Sequence, residues 1–170
     1  YLYRMDGHTL GVIGALGLEP PGKGDVLPHE HTTPKARSDR LDLLREQGRR
    51  LCEPSRLAID KGVTKRVFAS LIHISYIYAR GIHGFTDYVI EVNPRHVMFY
   101  QRMLGFREVG AARECTRVGA PAVLLRLPLE EMGAQILRWG GSMEQHGDGR
   151  SFYPYFFPPC DEQGITARLV

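Results

Sequence analysis

Residues 88–106 read Tyr-Val-Ile-Glu-Val-Asn-Pro-Arg-His-Val-Met-Phe-Tyr-Gln-Arg-Met-Leu-Gly-Phe. The β-branched and aromatic run at their start predicts a buried strand over residues 85–92. Asn93 is a favoured N-cap residue, and Pro94 suits the first helical position, where no backbone N–H is needed. Gly105 predicts the end of this helix, because glycine readily adopts the left-handed conformation that follows a last turn. This stretch therefore predicts strand, helix and the start of a further strand.

The flanking sequence continues the alternation of strands and helices. Residues 51–59 predict a strand in which Pro54 marks a bulge or an edge position. Apolar residues recur at helical spacing over residues 63–80, and Gly81 favours the end of that helix. Two further strands are predicted at residues 106–114 and 121–127, and a further helix at residues 129–139. We therefore expect an α/β fold whose sheet has an antiparallel end.

The first fifty residues have a different character. Residues 1–4 and 10–18 flank an Asp-Gly dipeptide at residues 6–7, which is a strong signal for a hairpin turn. Residues 20–34 contain four prolines and predict a loop. A short amphipathic helix that ends at Gly48 follows.

Composition limits the classes of function. The 170 residues fit one ordinary domain, and 22 Lys and Arg against 19 Asp and Glu give a charge of only +3, which argues against a nucleic-acid binder. No apolar run approaches the ~18 residues of a membrane span. Three widely spaced cysteines form neither a disulfide framework nor a metal pattern, which is typical of a protein in a reducing cytoplasm.

Two motifs carry a resemblance to a known family. The segment Asn93…Tyr100…Gly105-Phe106 after a strand resembles the GNAT acyltransferase superfamily, although the family more often has four residues from tyrosine to glycine and this chain has five. Residues 53–56, Glu-Pro-Ser-Arg, are similar to the Glu-x-Ser-Arg motif of the bacterial long-chain N-acyl amino acid synthases. Those enzymes are similar to the acyl-homoserine-lactone synthases.

The resemblance implies a GNAT-like mixed central sheet flanked by helices. It covers about residues 51–160, and the domain is expected over residues 51–170. Residues 1–48 resemble part of a different bacterial family of undefined function, so we expect a chimeric junction near residue 50, with residues 1–50 as a separate partial segment. We expect the hairpin, loop and helix of that segment to replace the front half of the GNAT fold, with the hairpin supplying edge strands.

The resemblance also implies catalytic roles for three residues. Glu53 would be the general base that removes a proton from the amino group, and Arg56 would orient a carboxylate or carbonyl with its forked donors. Tyr100 would be the acid that protonates the departing thiolate. Two structural alternatives stay open: a Glu–Arg pair that anchors a strand, and a tyrosine at the edge of the core.

The start of the helix after residues 51–59 is the expected donor site. Lys61, Gly62, Thr64, Lys65 and Arg66 combine helix N-terminal amides with positive charge, which suits the phosphate of a phosphopantetheine arm. The glycine-rich pyrophosphate loop of coenzyme A-dependent relatives is missing here. We therefore expect acyl carrier protein as donor and partner, with no permanently bound cofactor. The alternative is a solvated basic helix end.

Three other segments invite a functional interpretation. Tyr153, Tyr155 and Phe156 would wall a long acyl chain or, alternatively, cover an exposed face of the sheet. His29-Glu30-His31 suggests metal ligation, but two imidazoles and one carboxylate do not complete a site, so we expect no metal. Cys52 is expected to be a buried structural thiol.

The resemblance thus implies an N-acyltransferase that moves a long-chain acyl group from acyl carrier protein to the amino group of an amino acid. One alternative is a truncated, non-catalytic domain. Another is the undefined function of the N-terminal family, with His29, Glu30, His31 and Lys35 as its site.

Overall fold

A computed structural model of the chain describes residues 2–5, 10–19, 35–59, 62–115, 119–147 and 149–170. Its strands are β1 (Leu2–Met5), β2 (Leu10–Glu19), β3 (Leu51–Ile59), β4 (Asp87–Val92), β5 (Arg107–Glu108), β6 (Arg113–Cys115) and β7 (Ala120–Pro128). They lie in the order β1-β2-β3-β4-β7-β5, and β6 also pairs with β7. The β3–β4 pair is parallel, and the other pairs are antiparallel. The predicted mixed sheet with an antiparallel end is confirmed.

The helices are α1 (Lys35–Glu46), α2 (Lys65–Tyr76), α3 (Pro94–Leu104), α4 (Leu129–Trp139), α5 (Met143–His146) and α6 (Glu162–Leu169). Within the described ranges, none of them is long and apolar enough to cross a membrane. Short 3-10 turns lie at Tyr153–Tyr155 and Pro159–Asp161.

The caps of α3 explain why its prediction is confirmed. The Asn93 side chain accepts a hydrogen bond from the Arg95 backbone N–H at 3.2 Å, and Pro94 occupies the first helical position. Gly105 has φ +86° and its N–H donates to the carbonyl of Gln101. Both ends of the helix are therefore fixed by the residues that predicted them.

The N-terminal hairpin joins the sheet as predicted. β1 and β2 pair antiparallel, and β2 pairs antiparallel with β3. The hairpin therefore extends the sheet beside the strand that carries the Glu-Pro-Ser-Arg motif. Its Asp-Gly turn and the predicted loop at residues 20–34 lie outside the described residues.

Pro54 does not make β3 an edge strand, because β3 lies between β2 and β4. The register changes from Ala15↔Ala58 to Gly17↔Ser55, which leaves one extra residue in β3. The bulge predicted for this strand is therefore confirmed, although it lies between Ser55 and Ala58 and not at Pro54 itself, and the edge alternative is wrong.

Two predicted boundaries are wrong. The helix over residues 63–80 begins at Lys65 and continues past Gly81 as a π-helical segment, Ile77–Ile82, which buries Ile77. Glycine in a helix interior costs only about 1 kcal/mol, which the surrounding packing overrides here. The strand over residues 106–114 is two short strands, Arg107–Glu108 and Arg113–Cys115, with four residues between them that belong to no strand.

The two faces of the sheet have separate cores. On one face, Tyr88 and Ile90 of β4 pack with apolar residues of α2, α3, α4 and the C-terminal tail. On the other, Val89 packs with Leu41 of α1 and with Leu51. This alternation along β4 is the two-residue period of a strand buried on both sides.

Candidate active site

The parallel strands β3 and β4 separate soon after they begin. Their register contains the pairs Leu51↔Asp87 and Cys52↔Tyr88, after which the strands diverge. Pro54, two residues after the last pair, has no backbone N–H, so β3 lacks one donor just beyond the point where its pairing with β4 ends. The result is an opening between two central strands.

The closed end of this opening is held by the buried carboxylate of Asp87. Arg49 Nε donates to Oδ2 at 2.6 Å and Arg126 Nε to Oδ1 at 2.7 Å, and Thr86 Oγ1 donates to Oδ2 at 2.5 Å. Burial raises the pKa of Asp87, but hydrogen bonds from Arg49, Thr86 and Arg126 outweigh it and leave the pKa below its ordinary value. This cluster joins β4 to β7 and to the segment before β3. Sequence reasoning missed it.

A cavity of about 170 Å³ lies in the opening. Its polar lining comes from Glu53, Ser75, Tyr88, Glu91 and Tyr100. The rest is largely apolar and comes from Pro54, Leu57, Ile72, Ile90, Val92, Leu104, Phe106, Leu127 and Met132. A mainly apolar pocket with a few convergent polar groups is the usual form of a small-molecule site.

Two of the three predicted catalytic residues line this cavity together. Glu53 is 4% exposed and lies on β3, opposite Glu19 of β2 in the register. Tyr100 lies on α3, and its ring packs edge-on against Phe106 at 5.7 Å between centroids. Burial raises the pKa of Tyr100, so its phenol stays protonated at neutral pH.

Arg56 lies on the same strand as Glu53, in its bulged part. The position of its side chain is outside the described part of the chain, so its role stays a prediction.

The predicted donor residues lie at the start of α2. Thr64 is the N-cap and its hydroxyl oxygen accepts a hydrogen bond from the Val67 N–H at 3.4 Å. Gly62 has φ +85°, and Lys65 and Arg66 are exposed. Lys61 lies outside the described residues. The structure thus shows positive charge on the first turn of this helix.

The aromatic tail does not contribute to the described lining of the Glu53 cavity. The Tyr153 hydroxyl donates to the Leu104 carbonyl at 2.6 Å, and the Tyr155 hydroxyl donates to the Gly147 carbonyl at 2.7 Å. Tyr155 and Phe156 line a second cleft of about 300 Å³, to which Arg66 also contributes. The tail therefore meets the predicted donor end of α2, and its contact with an acyl chain stays a prediction.

His73 is a further feature that sequence reasoning missed. It is fully buried on α2; the Phe157 N–H donates to its Nδ1 at 3.1 Å, and its Nε2 lies 2.9 Å from Glu162 Oε1. Nδ1 must accept, so Nε2 carries the proton and donates to Glu162. Burial lowers the pKa of His73, against a smaller opposing effect of Glu162. This histidine attaches the C-terminal tail to α2.

Cys52 is buried as predicted, and burial raises the pKa of its thiol, with the Asp87 charge adding to the effect. A thiol in this state is a poor nucleophile. Among the described residues no group of three metal-ligating side chains occurs. His29, Glu30 and His31 lie outside that part of the chain, and of Lys35 only the backbone, at the start of α1, is described.

The comparisons with known proteins agree with this geometry. The family model of the N-acyl amino acid synthase FeeM matches residues 26–128, which is more than half of the chain. The chain belongs to the FeeM family. It is therefore an N-acyltransferase that acts on amino acids, and its sheet with two diverging central strands is a GNAT-like fold.

Two solved structures are similar to this chain. The structure of FeeM, an N-acyl amino acid synthase from uncultured soil microbes, matches with a TM-score of 0.63 and 26% identity, over 78% of this chain and 73% of that chain. An arylalkylamine N-acetyltransferase from the yellow fever mosquito matches with a TM-score of 0.46 and 13% identity, over 74% of this chain and 62% of that one. No curated protein sequence matches significantly.

The FeeM family match begins upstream of the junction predicted near residue 50. It includes α1, which packs beneath the sheet through Leu41. The division into two segments of different origin stays a prediction.

Proposed function

We propose that this member of the FeeM family transfers a long-chain acyl group from the phosphopantetheine arm of an acyl carrier protein to the amino group of an amino acid. The proposal depends on one observation above the others. Glu53 and Tyr100 line the same largely apolar cavity between the diverging strands β3 and β4. A base and an acid in one pocket are the two proton-transfer groups that aminolysis of a thioester needs.

The reaction follows from the placement of these groups. The lone pair of the neutral amine attacks the thioester carbon, the C–N bond forms and the C–S bond breaks. Glu53 takes the proton that the nitrogen loses, and Tyr100 faces the departing sulfur. Arg56, on the same strand as Glu53, is proposed to orient the substrate carboxylate or the thioester carbonyl.

Tyr100 suits the role of the acid for a physical reason. Its pKa is raised by burial, so the phenol keeps its proton until the thiolate forms. A thiol has an ordinary pKa of about 8.5, so complete proton transfer from Tyr100 is uphill. Its hydrogen bond to the developing thiolate supplies most of the stabilisation before the proton moves.

The donor is proposed to enter from the start of α2. Lys65 and Arg66 are exposed there and match the acidic surface of a carrier protein. The adjoining cleft sets Arg66 beside the aromatic rings of Tyr155 and Phe156, with Glu144 and Asp161 also in its lining, and we propose that the phosphopantetheine arm and the acyl chain pass along its aromatic side. We place the reaction in the cytoplasm, where the three free cysteines stay reduced.

Mass spectrometry of lipids tests the proposal. Bacteria express the chain, its Glu53→Gln variant or its Glu114→Gln variant, which makes the same change on the exposed face of β6. We expect N-acyl amino acids with the wild type and with Glu114→Gln, and none with Glu53→Gln. The mass of the head group names the acceptor.

A purified assay then separates the two possible donors. The wild type is given myristoyl-loaded acyl carrier protein or myristoyl-coenzyme A together with a mixture of the twenty protein amino acids. Faster turnover with the carrier protein supports the proposed donor. Equal product from Glu53→Gln and the wild type, with both proteins folded, contradicts the proposed base.

A further inference from the structure

A pair of hydroxyl groups forms part of the wall of the Glu53 cavity. Tyr88 of β4 is 2% exposed, and its Oη lies 2.9 Å from Oγ of Ser75 on α2. Both residues line the cavity. Ser75 Oγ also lies 2.7 Å from the carbonyl oxygen of Ile72, one turn earlier in the helix.

The direction of these hydrogen bonds follows from counting protons. A serine hydroxyl has one proton, and a carbonyl oxygen can only accept. The Ser75 proton therefore lies between Oγ and the Ile72 carbonyl. The Tyr88 hydroxyl in turn donates its only proton to Ser75 Oγ. The oxygen of Tyr88 is left with lone pairs alone, so it offers the cavity an acceptor and no donor.

We propose that Tyr88 Oη accepts a hydrogen bond from the substrate amino group and so positions the nucleophile. The inference rests on the proposed function, with Glu53 as base in the same cavity. A neutral primary amine has two N–H bonds and one lone pair. When Glu53 accepts from one N–H and Tyr88 Oη from the other, the lone pair is directed at the thioester carbon. Tyr88 is then a positioning residue.

The two protons of the substrate amine have different fates in this step. As the C–N bond forms and the C–S bond breaks, the N–H that faces Glu53 loses its proton to that carboxylate. The other N–H remains in the amide product and stays hydrogen-bonded to Tyr88 Oη. Ser75 acts only through Tyr88, because it holds the Tyr88 proton away from the cavity.

This arrangement predicts a preference for primary over N-methylated amines. An N-methyl amino acid has a single N–H in its neutral form, so it cannot satisfy Glu53 and Tyr88 together. The wild type should therefore acylate the primary amine more efficiently, and removal of the Tyr88 acceptor should lessen the preference.

The test compares kinetics for the amino acid acylated in the mixture assay and for its N-methyl derivative, with myristoyl-loaded acyl carrier protein as donor. For Tyr88→Phe we expect the KM for the primary amino acid to rise about five- to tenfold, the loss of one neutral hydrogen bond. The KM for the carrier protein should not change. The preference for the primary amine in kcat/KM should fall by a similar factor.

Ser75→Ala separates this role from a steric one. It leaves the Tyr88 oxygen in place but frees its proton to point into the cavity, so the preference for the primary amine should fall again. The double variant should be no worse than Tyr88→Phe alone, because Ser75 acts through Tyr88. Tyr76→Phe, at the neighbouring position of α2 outside the cavity lining, is the matched control and should keep wild-type kinetics.

The outcomes distinguish this inference from the proposed function. If Glu53→Gln is inactive while Tyr88→Phe and Ser75→Ala both keep the wild-type KM and amine preference, the positioning role is wrong and the base is retained. If the wild type forms no N-acyl amino acid, the proposed function fails; if Glu53→Gln is fully active, the proposed base is wrong and this inference, which rests on it, fails with it. If Tyr88→Phe does not fold, Ser75→Ala alone decides, and an unchanged preference overturns the inference.

Discussion

Arg49 donates from Nε to Oδ2 of Asp87 over 2.6 Å, although the two residues are 38 positions apart in the sequence. The bond lies where β3 and β4 are still paired, immediately before they diverge. Because Asp87 also accepts from Arg126 of β7, one buried carboxylate connects the central strands at the closed end of the cavity. The cluster therefore ties β4, β7 and the segment before β3 together at the point from which the cavity opens.

Removing the Asp87 charge should destabilise the fold. Asp87→Asn leaves two arginines without their common carboxylate, and we expect the free energy of unfolding to fall by about 2–4 kcal/mol. Urea unfolding measures the change. Asp42→Asn removes the carboxylate of a half-exposed ion pair with Arg45 and should change stability by no more than about 0.5 kcal/mol. Equal effects of the two substitutions would contradict the role given to Asp87.

The pKa of Asp87 also sets the pH range over which the cluster acts. A carboxyl whose folded pKa is depressed contributes stability that is complete above its unfolded pKa of about 3.9 and is lost as the pH falls through the folded value. The free energy of unfolding of Asp87→Asn, measured in urea, should therefore change less with pH in the acidic range than that of the wild type.

The Asp87 cluster shows what the sequence could not predict. Helix α3 and the strand before it follow from local signals, since Asn93 and Gly105 act on their own neighbours in the chain. The partners of Asp87 lie on other elements, and nothing in the local sequence indicates which arginines reach it. His73 was missed for the same reason, because its partners lie in the tail.

The candidate site was predicted in part. Glu53 and Tyr100 came from motifs, and the structure brings them to one cavity. Ser75 and Tyr88 belong to elements whose periodicity indicates only burial, and their hydrogen bond depends on how α2 packs against β4. Side-chain pairs of this kind are fixed by tertiary packing, which composition and spacing do not specify.

The buried His73 predicts that the chain loses stability in mild acid. Its pKa in the folded chain lies below the ordinary 6.5. Between these two values the unfolded chain binds a proton at this histidine and the folded chain does not. Stability should be complete above about pH 6.5 and should fall below it, by at most about 1.4 kcal/mol per pH unit, down to the folded pKa. Urea midpoints at about pH 7.5 and 5.5 measure the effect.

A matched pair of variants assigns that loss to His73. His73→Phe keeps the stacking on Phe156 and removes the titrating ring, so it should be less stable at neutral pH and should show a smaller change between the two pH values. Leu137→Phe, on the exposed side of α4, introduces and removes no titrating group and should keep the wild-type pH dependence. Identical pH dependence of His73→Phe and the wild type would refute the assignment.

The phenol of Tyr100 should contribute to turnover. Tyr100→Phe keeps the ring packing against Phe106 and removes the proton that faces the departing sulfur, so we expect kcat to fall about a hundredfold with little change in stability. Tyr78→Phe removes a half-exposed hydroxyl from the helix after α2 and should keep wild-type kcat. An unchanged kcat for Tyr100→Phe would reduce Tyr100 to a core-edge aromatic residue.

Gly105 ends helix α3, which contributes to the cavity wall, and the reason for a glycine at this position can be tested. Its φ of +86° is costly for a residue with a Cβ, yet an added methyl group meets no atom within 4 Å. Gly105→Ala should therefore cost about 1 kcal/mol through backbone conformation alone. Gly164→Ala, inside α6 and equally open, should instead stabilise by up to about 1 kcal/mol, because alanine is the better helix former. A lower melting temperature for Gly105→Ala and a higher one for Gly164→Ala would confirm that backbone conformation, and not lack of space, requires glycine at the end of α3. Melting temperatures that change in the same direction for both variants would contradict this explanation, because the two sites differ mainly in their backbone angles.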